Sequence, residues 1–134
     1  MNKVLIVDDD AFLLDMYALK FKEAGFAVDV AKNGEEALAN AKDSNPDAIL
    51  LDIVMPKMDG FDVLRSLKKE NIAPNAKIFL LTNLGQKEDV DRGLKLGAHD
   101  YIIKAHFTPS EVVAKVKMFL GQGQQAPGGD GFQF

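Results

Sequence analysis

Five short apolar runs punctuate the chain: KVLIV (3–7), AVDVA (27–31), AILLD (48–52), KIFLLT (77–82) and YIIK (101–104). Each is rich in Val, Ile, Leu or Ala and has turn residues nearby. Near-continuous apolarity over so few residues suits strands covered on both faces, as in a parallel sheet. Helical patterns separate the runs. In AFLLDMYALKFKEAG, the apolar positions Leu13, Met16, Tyr17 and Leu19 follow steps of three or four, and Gly25 offers a stop. NGEEALANAKDS opens with Asn33 as N-cap and Glu36 three residues on, the capping-box spacing. DGFDVLRSLKKEN starts in the same way from Asp59, and GQKEDVDRGLKLG closes on Gly97. TPSEVVAKVKMFLG combines Thr108 as cap, Pro109 at the first helical position and Glu111 reaching back.

A strand followed by a helix, five times over, predicts an α/β fold: a parallel sheet with right-handed crossovers and helices on both faces. Residues 1–121 form one domain on this reading. From 122 to 134 the chain turns to Gly, Gln and Pro, with too little apolar area to order itself, so a flexible tail or linker is expected.

Composition narrows the classes. With 134 residues, 47% of them hydrophobic, one domain can bury a substantial core. The absence of cysteine removes disulfides, thiolate metal sites and thiol nucleophiles. A net charge of -4 argues against direct nucleic-acid binding by this domain. The opening MNKVLIVDDD is too short for a signal peptide or a membrane span, so a cytoplasmic protein without membrane attachment is expected.

In an open α/β sheet, ligands bind beyond the carboxyl ends of the strands. There the first run ends in Asp8-Asp9-Asp10, the third in Asp52, the fourth in Thr82 and the fifth in Lys104. Several carboxylates gathered in a partly desolvated cleft repel one another, unless one is protonated or a divalent cation sits among them. An oxygen-only donor set favours Mg²⁺ or a similar hard ion. Thr82 and Lys104 are then suited to hold the oxygens of a phosphoryl group carried by a carboxylate.

VLIVDDD, LLDIVMPKMDG, FLLTN and GAHDYIIK, in this order and separation, resemble the receiver domain of two-component response regulators over residues 2 to about 120. The resemblance implies a doubly wound, flavodoxin-like sheet of order 2-1-3-4-5, the order that a receiver illustrates in general accounts of this fold. It implies Asp52 as phosphoacceptor, and Mg²⁺ held by Asp8, Asp9, Asp52 and the backbone carbonyl of Val54. Thr82 and Lys104 would grip the phosphoryl oxygens, and Tyr101 would swing with Thr82. The implied partners are a sensor histidine kinase or phosphotransfer protein and a downstream effector. A homodimer through the fourth helix, fifth strand and fifth helix is a further implication. The implied activity is a switch, not an enzyme, catalysing only its own phosphorylation and dephosphorylation.

Other readings compete at single positions. Asp10 serves as a simple N-cap, and Pro56 and Gly60 shape a loop. His99 and His106 lack partners at ligand spacing and receive no role, while Phe107 is either an exposed contact or a core plug. The Asp-x-Asp in VDDDAF suits an aspartyl-phosphate phosphatase of haloacid dehalogenase type, although Ala11 departs from that pattern. A receiver-like binding module independent of phosphorylation is the other alternative. Ala105 stands where receivers commonly carry a proline in a cis bond, and a cis Lys104–Ala105 peptide is expected. Val54 and Asn83 occupy the positions that flank water's approach to the phosphoryl group in receivers.

Overall fold

A computed structural model describes residues 2–83 and 87–121. Five parallel strands form one sheet in the order β2-β1-β3-β4-β5. In chain order they are β1 (Lys3–Val7), β2 (Ala27–Ala31), β3 (Ala48–Asp52), β4 (Lys77–Thr82) and β5 (Asp100–Ile103). The helices are α1 (Ala11–Glu23), α2 (Gly34–Ser44), α3 (Gly60–Lys69), α4 (Lys87–Lys95) and α5 (Pro109–Phe119). The fold expected from the alternating pattern is therefore the one observed. The anticipated tail, 122–134, lies outside the described residues, as do Gly85 and Gln86 of the predicted fourth helix.

Each strand divides its side chains between two apolar layers, because successive residues point to opposite faces. Leu5, Val7, Ile49, Leu51, Ile78 and Leu80 pack under α2 and α3 with Ala37, Ala41, Phe61, Leu64 and Leu67. Val4, Ile6, Leu50, Phe79, Leu81 and Ile102 pack under α1 and α5 with Leu14, Tyr17, Phe21, Val112 and Val116. All five residues of β3 are buried, as a central strand requires. Removing this apolar surface from water is the main drive to fold, at roughly 25 cal/mol per Å².

The helix starts follow their capping residues. Asp10 accepts from the Phe12 and Leu13 amides at the head of α1. Full capping boxes join Asp59 to Asp62 and Thr108 to Glu111. At α2 the box is displaced by one residue: Asn33 accepts from Glu36, but the Glu36 carboxylate accepts from the Lys32 amide. His99, given no role by spacing, fastens the start of β4 beside β5. Its Nδ1 accepts from the Ile78 amide at 3.0 Å, while the Ile78 carbonyl accepts from the His99 amide at 2.8 Å. Burial, then Lys77 and Lys68, hold this imidazole below its usual pKa, which suits a nitrogen that accepts.

Candidate functional site

The carboxyl ends of β1, β3, β4 and β5 converge, and the strand register decides how. Val7 pairs with Leu51, so the residues that follow, Asp8 and Asp52, stand side by side. Asp52 aligns with Leu81, and Thr82 with Ile103, so Thr82 and Lys104 each stand one step beyond their neighbour. Asp8, Asp52 and Thr82 are buried, whereas Asp9 is exposed at the rim.

Lys104 joins the acids. Its Nζ lies 3.1 Å from Asp8 Oδ2 and 3.4 Å from Asp52 Oδ2, and all three side chains are at most 11% exposed. The remaining Asp8 oxygen accepts from the Asp10 amide at 2.9 Å, and Asp52 Oδ1 accepts from the Val54 amide at 3.3 Å. Asp10 spends its own carboxylate on the α1 cap, which takes it out of the Asp-x-Asp arrangement that a dehalogenase-type phosphatase would need.

One ammonium does not balance the cluster. Burial pushes the Asp52 carboxyl up to about 6, against Lys104 and with the help of Asp8. Burial also works against the Lys104 ammonium, but Asp52 and Asp8 outweigh it and hold its pKa above the usual value. Asp8, Asp9 and Asp52 each offer an oxygen within 4.8 Å of the others. Three hard donors carrying excess negative charge suit a divalent cation of the Mg²⁺ kind.

Two sequence expectations change at β5. The strand ends at Ile103, and Lys104 opens a short 3₁₀ turn, Lys104–His106, in which the Phe107 amide points back to the Lys104 carbonyl. The Lys104–Ala105 peptide is trans, so the cis bond expected from the proline position is corrected. Without proline a cis bond costs about 2.5–4 kcal/mol, and Lys104 reaches both acids from a trans turn. Tyr101 is half-buried against the layer containing Leu80 and Ala98. Phe107 is a partial plug, packed on the opposite layer with the Lys115 amine 5.5 Å from its ring. Val54 is 70% exposed, and Asn83 is exposed as well.

Against known proteins, a family model described as "Response regulator receiver domain" matches residues 4–117. The chain belongs to the response regulator receiver domain family. This receiver is 37% identical over 124 residues to the transcriptional regulatory protein ResD of Bacillus subtilis, covering 92% of the chain and 50% of ResD. It is also 37% identical to the alkaline phosphatase synthesis transcriptional regulatory protein PhoP of the same organism, covering 93% of the chain and 51% of PhoP. The chain thus spans about half the length of these curated relatives. Among solved structures, chemotaxis protein CheY4 of Vibrio cholerae matches with a TM-score of 0.82 and 31% identity, covering 87% of this chain and 97% of that one. The receiver is a phosphorylation-activated signalling switch in the company of regulators, and the phosphorylation-independent alternative is not favoured. No described helix is long and apolar enough to cross a membrane.

Proposed function

We propose that Asp52 accepts a phosphoryl group from a phosphohistidine on a sensor kinase or phosphotransfer protein. The observation that carries this reading is the Lys104 amine set between two buried carboxylates, 3.1 Å from Asp8 and 3.4 Å from Asp52. Asp8, Asp9, Asp52 and the Val54 carbonyl would hold Mg²⁺. When bound, Mg²⁺ supplies charge neutralisation between the attacking carboxylate and the incoming phosphoryl oxygens.

An Asp52 oxygen forms the new P–O bond as the P–N bond of the donor breaks, and the donor imidazole leaves. Lys104 follows the charge from the carboxylate to a phosphoryl oxygen, and the Thr82 hydroxyl donates to another. The product places nearly two charges at the end of β3. Thr82 moves toward them, Tyr101 turns into the space released, and the surface of α4 and β5 changes. That surface, continued by α5, is where a downstream effector or a second copy of the chain would read the switch. A cytoplasmic setting fits this reading. Catalysis is confined to the protein's own phosphorylation and dephosphorylation.

Incubation with acetyl phosphate and Mg²⁺ tests the assignment. Intact-mass measurement should show one added phosphoryl group on the wild type and none on Asp52→Asn. Undiminished labelling of the variant would refute it.

A further inference from the structure

Tyr17 is a core position by its helical spacing, yet it carries a hydroxyl that the apolar layer cannot satisfy. The residue is 3% exposed and packs with Ile6, Leu81 and Ile102 on the α1 and α5 side of the sheet. Its hydroxyl makes no hydrogen bond to any described residue. A buried phenol normally finds a partner, and an exception calls for an explanation. Direction supplies one. Side chains of an α-helix lean toward its N-terminus, and α1 starts at Ala11, directly after the acids that end β1. The long Tyr17 side chain therefore leans along the sheet toward the edge that holds Asp8, Asp52 and Lys104.

The electrostatics agree with this placement. Burial raises the Tyr17 pKa most, and the charges felt by its hydroxyl are those of Lys104, Asp8 and Asp52, with Lys104 foremost. The phenol stays neutral, with an oxygen able to accept. Lys104 has three N–H donors, of which Asp8 and Asp52 take two. A phosphoryl group at Asp52 would draw the amine away from one or both carboxylates, at the point where another acceptor is needed.

We propose that Tyr17 is a positioning residue whose hydroxyl, without a bond to any described residue in the unphosphorylated protein, accepts an N–H of Lys104 once the phosphoryl group draws the amine away from the carboxylates, and so holds it over the phosphoacceptor. The proposal rests on the assignment of Lys104 to the phosphoryl group. Tyr101 packs on the opposite layer of the sheet, so the two tyrosines lie on different faces.

Tyr17→Phe removes the hydroxyl and keeps the ring. A hydrogen bond to a charged group is worth enough to slow labelling by subsaturating acetyl phosphate by about tenfold. In a Lys104→Ala background the same substitution should cost less than about twofold, because the group it acts through is gone. Lysine ammonium NMR of the protein kept phosphorylated by excess acetyl phosphate and Mg²⁺ gives a second reading: exchange of the Lys104 Nζ protons with water should quicken by about threefold in Tyr17→Phe. Phe21→Leu, which loosens the same helix face but leaves the hydroxyl in place, should leave both quantities at wild-type values. Equal losses in the two backgrounds, or an unchanged ammonium signal, would overturn the role of Tyr17. A wild type that takes no label at Asp52 would instead overturn the phosphoacceptor assignment, and the two failures are separable.

Discussion

At the scale of single residues, function is bought at the expense of stability. Asp52 has an unfolded pKa of 3.8 and is pushed up to about 6 in the fold, chiefly by burial. Between those values the folded chain holds a proton that the unfolded chain has released, so stability falls as pH rises through this window. Above about 6 the whole penalty is present. Because Asp52 titrates together with its buried neighbours Lys104 and Asp8, only part of the shift belongs to it alone, and roughly 1 kcal/mol is assigned to it. Asp52→Asn should therefore raise the melting temperature of metal-free protein by about 3–6 °C near pH 7.5, and by almost nothing near pH 4. Calorimetry at the two pH values checks this; equal melting temperatures near pH 7.5 would contradict it. Val54 and Asn83 belong to the same scale. Neither a valine nor a bulky exposed amide should ease an in-line water, so Val54→Asn and Asn83→Ala should each shorten the phosphoryl lifetime. Loss timed after donor removal should quicken by up to roughly tenfold, about 1.4 kcal/mol of barrier. Slower loss in either variant would show that the native residue assists water.

Among the elements, the join of β3 to α3 matters most to the site. The Gly60 amide donates to the Ile53 carbonyl at 2.9 Å, bringing the head of α3 against the strand end. A Cβ on Gly60 would stand 2.5 Å from the Asp52 carbonyl oxygen and 2.8 Å from the Ile53 Cα. Both are backbone atoms with no rotamer to yield. Gly60→Ala should cost about 1–3 kcal/mol, seen in denaturant melts, and should also slow labelling of Asp52 by shifting its backbone. Wild-type stability and labelling would mean that α3 can withdraw freely. Gly60 was legible in the sequence as loop-shaping, but the reason is a close approach between elements, which local pattern does not contain. Lys104 shows the same limit. Its place at the end of the fifth apolar run was legible, while the trans 3₁₀ turn that aims it depends on packing beyond the strand. His99 was passed over because its partner is a backbone amide 21 residues away, not another ionisable side chain.

For the whole molecule, the sequence carried the architecture because βα alternation leaves few topologies open. Five parallel strands and the gathering of Asp8, Asp9, Asp52, Thr82 and Lys104 on one edge follow from the βα alternation, whereas which strands are central and which lie at the edge came from the resemblance to receivers. Tyr17 was hidden by that success: at its helical spacing it reads as core, and only the direction of α1 relative to the acids gives its hydroxyl a meaning. The central claim joins these scales at one atom, an Asp52 oxygen bearing phosphorus. Borohydride reduction after acetyl phosphate treatment converts an aspartyl phosphate to homoserine, and peptide mass spectrometry then finds the modified position. Homoserine at residue 52, dependent on Mg²⁺ and on Lys104, is the predicted result; homoserine at Asp8 or Asp9, with residue 52 unchanged, would contradict it.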